Sequence, residues 1–202
     1  MEPDWRTRLR KLPVFDAVLP PFDPDAAPAD PMELASAWLA DAIAAGITQP
    51  HAAVWTTVDA SGAPSSRTLI VKDLTPEGFW CATPSTTALG EHSRHDARSA
   101  LHLYWPELGR QLRVLGDLEP GPAEVSAADW AARSESARAG ADASTWTAYL
   151  LRPVAMEFFA AQSDRSHLRA RYEQTGNGWG RMVPSTRFER ATSSFGGKRS
   201  IH

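Results

Sequence analysis

The residues best suited to chemistry in this 202-residue chain are cations and hydrogen-bond donors attached to apolar, β-branched runs. Arg67 and Lys72 bracket "TLIV", Arg110 and Gln111 open "RQLRVLG", and Arg165, His167 and Arg169 fall in "DRSHLR". A cation aimed into an apolar interior is costly unless an anion meets it. On one alternating strand Arg67 and Lys72, an odd number of residues apart, point to opposite faces. The set therefore predicts anions bound at the rim of a β-structure by charge-assisted hydrogen bonds. The only lysines are Lys11, Lys72 and Lys198, so Lys72 is the one lysine of the expected core. Codon usage is explanation enough for that, although a compact ammonium is not interchangeable with a planar guanidinium.

Other constellations are weaker. His92, His95 and Asp96 in "EHSRHD" have a spacing that suits zinc, but no further Cys or His cluster accompanies them, and the stretch reads as a polar helix face. "GNGWG" does not join a strand to a helix, so it is no dinucleotide loop. No G-x-S-x-G, CxxC or P-loop occurs, which removes the commonest hydrolase, dithiol-redox and nucleotidase classes. A net charge of −3 gives no general attraction to nucleic acid or anionic lipid. Cys81 is the single cysteine, which forbids an internal disulfide and fits a reducing compartment. With no membrane-length apolar run and no apolar leader in "MEPDWRTRLRKLP", a cytoplasmic protein is expected.

The elements that must position these groups follow from local patterning. Proline-rich residues 12–31 read as an extended arm wrapping over the domain or as a disordered lead-in, in either case without helix. Asp30 as N-cap, Pro31 and Glu33 start an amphipathic helix that Gly46 ends. Strands are predicted at 51–58, 65–73, 78–83, 99–105, 110–120 and 154–161, with helices at 87–97 and 122–134. Six short strands with small helices between them give a mainly β fold, an antiparallel barrel with helical additions. The expected organisation is an arm over 1–29, a domain over 30–184, and a polar tail over 185–202 that resembles read-through into a transfer-RNA gene.

"RTLIVK", "GFWCAT", "YWPELGRQLRVLG" and "RSHLR", in that order, resemble the pyridoxamine 5′-phosphate oxidase family of FMN-binding split barrels. The resemblance implies a six-stranded antiparallel split β-barrel of Greek-key type with peripheral helices, and a homodimer with FMN at the subunit interface. It places Arg67 near the FMN phosphate and the backbone of Thr68, Leu69, Ile70 and Val71 along the cofactor. Thr83 and Gln111 would hydrogen-bond the flavin, Arg169 would contact it, and Phe159 would take the place of a tryptophan beside its ring. Lys72 and Arg133 match positions that grip a substrate phosphate, and Arg165 and His167 match the pair over the substrate ring.

The chain departs from that family at specific points. Ala88 and Leu89, preceded by Thr86 and Thr87, replace an Arg-Lys pair that holds the FMN phosphate, and a segment with a Gln-Ser pair is deleted before "TWTAYLL". A Tyr and a Ser of the substrate-phosphate cradle become Asp129 (or Trp130, by the alternative alignment) and Ala137. At roughly 1.5–3 kcal/mol for each hydrogen bond to a charged group, losing two or three donors weakens FMN binding by orders of magnitude. The implied activity is oxidation of an amine or alcohol on an aromatic ring with dioxygen as acceptor. Its substrate is pyridoxine or pyridoxamine 5′-phosphate, or an unphosphorylated aromatic ring as in relatives from secondary metabolism. The alternative is a degenerate, non-catalytic binder of flavin or pyridoxal phosphate. A deazaflavin-dependent relative is disfavoured by the R-x-H-x-R match.

Overall fold

A computed structural model of the chain describes residues 4–15 and 18–182; the expected tail 185–202 lies outside them. In chain order the elements are α1 (Trp5–Arg10), α2 (Pro31–Ala44), β1 (Ala52–Val58), β2 (Pro64–Ile70), β3 (Asp73–Thr75), β4 (Gly78–Pro84) and α3 (Ala88–His95). They continue with β5 (Arg98–Trp105), a 3₁₀ turn (Pro106–Leu108), β6 (Arg110–Pro120), α4 (Ala123–Ala132), α5 (Glu135–Arg138), β7 (Trp146–Ala160), β8 (Leu168–Thr175) and β9 (Gly178–Met182). All strand pairings are antiparallel, in the order β2-β1-β5-β6-β7-β4-β3, with β8 joining β7 and β9 joining β8.

This is a mainly β split barrel with helices around it, and β7 is where it splits. One edge of β7 runs along β6, while the other pairs with β4 through Trp146–Leu151 and with β8 through Ala155–Ala160. The bend between the halves is built into the sequence. Pro153 lies opposite Gly116, where the β6–β7 register shifts after Leu115. A strand can carry proline at such a bulge because the ladder is already interrupted there.

The expected single strand over 65–73 is two strands, and this corrects the face assignment of Lys72. β2 pairs only with β1 and ends at Ile70; β3, paired only with β4, begins at Asp73. Between them Val71 N–H donates to His51 O at 2.8 Å, and Lys72 N–H donates to Trp80 O, also at 2.8 Å. Two successive amides thus tie the two ends of the curved sheet together. Strand alternation holds for Arg67 and stops before Lys72.

Among the described residues nine strands replace the six predicted. β7 begins eight residues earlier than expected, and the residues from Leu168 onward, for which no strand is predicted, form the β8–β9 hairpin. Gly176 and Asn177 of "GNGWG" make its turn, and Gly178, at φ +108°, opens β9. The interior is filled by Trp55, Phe79, Leu101, Leu103, Leu112, Val114, Phe158 and Tyr172. Each such side chain contributes about 1.5–3 kcal/mol by leaving water. Helix α2, capped by Asp30 accepting from Met32 N–H at 2.8 Å, closes one end with Met32, Ala35 and Trp38. Residues 22–28 are fastened over it: Phe22 packs edge-on to Trp38, and Pro28 O accepts from Tyr172 Oη at 2.8 Å. No helix among the described residues is long and apolar enough to cross a membrane.

The bulge gives a test of this geometry. A Cβ on Gly116 would lie 2.0 Å from Arg152 O, a backbone atom that cannot step aside. Gly116→Ala is expected to lower unfolding free energy in urea by at least about 2 kcal/mol; a loss within experimental error would mean that the two strands do not approach there as described.

Candidate functional site

The structure sorts the predicted site residues into two groups on opposite faces of the sheet. Arg67 and Thr83 belong to the inner group. On β2, Arg67 faces Trp55 of β1 in register, and Trp55 is fully buried, so the guanidinium points inward near the mouth. It donates from Nη1 to Thr57 Oγ1 at 2.7 Å and Trp55 O at 3.3 Å, and from Nη2 to Ser65 Oγ at 3.0 Å. All three acceptors are neutral, and no carboxylate among the described residues pairs with it. Burial pulls the guanidinium below its ordinary pKa, with the Cys81 thiol offsetting part of the shift. Thr83 is buried on β4, with Oγ1 donating to Thr87 Oγ1 at 3.5 Å.

β2 also leaves backbone groups open on one side, because its second edge is unpaired among the described strands. In an antiparallel ladder, bonded and non-bonded pairs alternate. Since Val71 bonds to His51, the pairs Leu69–Ala53 and Arg67–Trp55 are the bonded ones. The amide and carbonyl groups of Thr68 and Ile70 therefore face the open edge, and those of Leu69 and Val71 face β1.

Lys72 and Arg133 come together beside this group, through Asp129 and Trp146. Lys72 Nζ lies 3.9 Å from Asp129 Oδ1, and Asp129 Oδ2 accepts from Trp146 Nε1 at 2.8 Å. The Arg133 guanidinium lies 3.9 Å above the Trp146 ring and 5.7 Å from Trp130, and it donates to Ala137 O. Pro122 and the Ser126 hydroxyl, which accepts from Ala148 N–H at 3.0 Å, set α4 against β7 so that these side chains converge.

The outer group is a row across neighbouring strands. Tyr104 of β5 lies opposite Gln111 of β6, Gln111 opposite Phe159 of β7, and Phe159 opposite Arg169 of β8. The intervening Leu112, Phe158 and Ala170 point into the core. Arg169 sits 4.9 Å over the Phe159 ring, whose centroid is 5.1 Å from that of His167. His167 Nδ1 accepts from Gln162 N–H at 3.1 Å, which places its ring proton on Nε2. Arg165 is exposed in the turn before β8 with φ +67°, a strained conformation for a non-glycine residue. One chain does not bring this row and the Arg67 group together.

Sequence reasoning missed two arrangements. His92 is not part of a metal cluster: no such cluster occurs among the described residues, and Asp96 binds Arg98 instead. Its Nδ1 lies 2.9 Å from Thr57 Oγ1, so Arg67, Thr57 and His92 form one chain of hydrogen bonds. His92 is one helical turn beyond Ala88, the signal that could have found it. Leu89 is in the core and cannot present a polar group. Arg110, grouped with the site cations from sequence, is buried, lies over Trp38 at 4.7 Å and pairs with Asp41 at 2.7 Å. It anchors α2.

Comparison with known proteins adds a family. The model of the pyridoxine 5′-phosphate oxidase C-terminal dimerisation region matches residues 146–183. The pyridoxine/pyridoxamine 5′-phosphate oxidase of Dichelobacter nodosus is 31% identical over 183 residues, covering 75% of this chain and 86% of that protein. The dihydrophenazinedicarboxylate synthase of Burkholderia lata is 29% identical over 194 residues, covering 81% and 91%. A crystal structure of PhzG from Burkholderia lata in complex with tetrahydrophenazine-1-carboxylic acid superposes with a TM-score of 0.74 at 29% identity, covering 83% of this chain and 96% of that one.

Cys81 lies within electrostatic reach of Arg67 and of Asp129, the carboxylate that faces Lys72. Burial pushes its thiol up to about 12, while Arg67 draws it back and Asp129 adds to the rise. The folded chain therefore holds this proton more tightly than the unfolded chain, whose thiol titrates near 9.0. Stability from the neutral thiol is complete below that value and is lost as pH rises from there toward about 12. Tyr149 and Tyr172, also raised by burial, act in the same direction. Urea unfolding followed upward from neutral pH is expected to show stability declining in the alkaline range, with Cys81→Ala making that decline shallower. An unchanged slope would contradict the thiol's burial beside Arg67.

Proposed function

Because this chain belongs to the pyridoxine/pyridoxamine 5′-phosphate oxidase family, we propose that it is a cytoplasmic, homodimeric, FMN-dependent oxidoreductase that oxidises an amine- or alcohol-bearing carbon on an aromatic ring with dioxygen as acceptor. The observation that carries this reading is the division of the expected cofactor residues into two groups, each with its own substrate-side cations. Arg67 and Thr83 stand with Lys72 and Arg133; Gln111, Phe159 and Arg169 stand with Arg165 and His167. A two-fold dimer sets the inner group of one chain against the outer row of its partner, twice over. Val54, Tyr104, Leu115 and Val154, 40–49% exposed on β1, β5, β6 and β7, give that interface an apolar surface. The matched dimerisation region, residues 146–183, includes β7 and β8, which carry Phe159 and Arg169.

The residues present fit FMN in part. Arg67, inward-pointing without a counter-ion among the described residues, suits a phosphate, and the open-edge groups of Thr68 and Ile70 suit a polar ring edge. Phe159 backed by Arg169 offers a flat apolar surface, and Gln111 an amide beside it. At the expected Arg-Lys pair, Ala88 and Leu89 supply no charge, and His92 stands closest in role. FMN affinity is accordingly lower than the full cation set would give. Bound FMN would supply the two-electron acceptor. The chain's part is to hold and orient the donor: Arg165 offers an exposed guanidinium in the turn before β8, and His167, fixed by Gln162, offers Nε2–H to a ring substituent.

Lys72 facing Asp129 favours the unphosphorylated branch of substrates over the phosphorylated one. The Burkholderia lata structure, which holds a carboxylated tricyclic ligand without phosphate, is in keeping with that choice. The degenerate-binder reading draws on Ala88, Leu89 and the segment deleted before "TWTAYLL", and the intact "RSHLR" speaks against it.

The test begins with the visible spectrum of the purified protein before and after adding FMN. Added FMN is expected to shift to a bound-flavin spectrum that bleaches anaerobically with pyridoxamine or its phosphate and returns with oxygen. Arg165→Ala should slow that reduction by about a hundredfold while leaving FMN affinity nearly unchanged. No FMN uptake would overturn the reading, and equal loss of reduction and affinity would remove Arg165 from the substrate side.

A further inference from the structure

A cleft of about 500 Å³ lies between α4 and the start of β7, lined by Trp130 and Trp146 and by the hydroxyl-bearing Ser126, Ser144 and Thr147. The indoles have centroids 5.8 Å apart at 57°, so a flat ring entering the cleft meets aromatic surface on two sides. Thr147 is in register with Thr83 on β4, which places the cleft beside the inner group. Its size suits a ligand of two or three rings.

The charge around this cleft is the informative quantity. Lys72 and Arg133 alone present two positive charges, which balance a phosphate dianion. Asp129 changes that count: its carboxylate faces Lys72 at 3.9 Å and is held in place by Trp146 Nε1 at 2.8 Å. One net positive charge remains, on Arg133. That guanidinium lies over Trp146 and Trp130, and its Nε–H is buried without an acceptor among the described residues. A dianion brought beside Asp129 exceeds the one net positive charge that remains, whereas a single carboxylate approaching the Arg133 guanidinium cancels it.

We propose that Asp129 is a specificity-determining residue that converts this cleft from a phosphate site into a site for an aromatic monocarboxylate. The proposal rests on the reading of Lys72 and Arg133 as substrate-side residues and deepens it by naming the ligand class. Asp129 acts through charge, by occupying Lys72, and through position, by fixing the Trp146 indole that floors the cleft. The ring stacks on the indoles, and its carboxylate meets Arg133.

A matched pair of probes separates ring from charge: 1-naphthoate and 1-naphthyl phosphate, titrated calorimetrically at pH 8 into the full chain with and without FMN. The wild-type protein is expected to bind the carboxylate more tightly. Asp129→Asn keeps an amide oxygen for Trp146 Nε1 while removing the charge, and should shift the affinity ratio toward the phosphate by at least about tenfold. Adding Lys72→Met to Asp129→Asn should abolish that gain, while Lys72→Met alone, which leaves the Asp129 carboxylate unpaired, should weaken phosphate binding further. Tighter phosphate binding by the wild type, a ratio unmoved by Asp129→Asn, or binding of neither probe would overturn the proposal. The flavin spectrum of the same samples reports separately on the cofactor: absent FMN uptake with the expected ratio counts against the oxidoreductase reading and in favour of the role of Asp129.

Discussion

Two consecutive amides hold the architecture closed. Val71 N–H bonds to the β1 side and Lys72 N–H to the β4 side, so the terminal strands of the curved sheet meet within one peptide unit. Everything at the inner mouth depends on this junction. It leaves β2 with a free edge, it fixes Arg67 as the last inward cation before the crossover, and it releases Lys72 from strand alternation to reach α4. The bulge at Gly116 and Pro153 does the complementary work on the far side, letting β7 serve β4 with one half and β8 with the other. The outer row containing Phe159 exists because of that fork.

Charge is managed differently in the two places where cations enter the fold. Arg110, buried over Trp38, is matched by Asp41 and stabilises the seat of α2. Arg67 has only hydroxyls and a carbonyl. A half-buried guanidinium supported by neutral acceptors is solvated enough to persist and still able to attract an anion. Lys72 and Arg133 fall between these cases, the first facing a carboxylate and the second resting on aromatic rings. The contrast between Arg110 and Arg67 separates a cation matched by a carboxylate from one held by neutral acceptors, and sequence alone placed both in one class.

Much of the fold was legible in the sequence because its signals were local. The Asp30 cap, the β1–β2 hairpin and the alternation of β4, β5 and β6 each reside in a few adjacent residues. The misses have physical causes. Pro153 reads as a strand breaker and hid the first half of β7, since its tolerance depends on a bulge in a different strand. β8 alternates as a strand should, but Ala170 is a weak apolar signal and Arg171 and Glu173 dominate the composition; Glu157 of β7, across the ladder, pairs with Arg171 and makes that charge acceptable. For the site, motif resemblance placed Lys72 with Arg133, and Phe159 with Arg169, in neighbourhoods the coordinates also give. It did not show that Asp129 would face Lys72, that His92 would join Arg67, or that only alternate backbone groups of β2 are open, because those depend on register and on helix rotation.

The central claim is that a cofactor site forms only when the inner group of one chain meets the outer row of another. Mixing two variants, Arg67→Met and Arg169→Met, tests it most directly, with FMN binding measured by flavin fluorescence before and after subunits exchange. Each variant alone should bind FMN poorly, since every site in its dimer carries one defect. In a mixed dimer one site carries both defects and the other carries none, so exchange should restore tight binding at half of the sites in the mixed dimers. Failure to recover any tight binding, in a mixture shown to contain mixed dimers, would place both residues in a site built by a single chain or in no shared site at all.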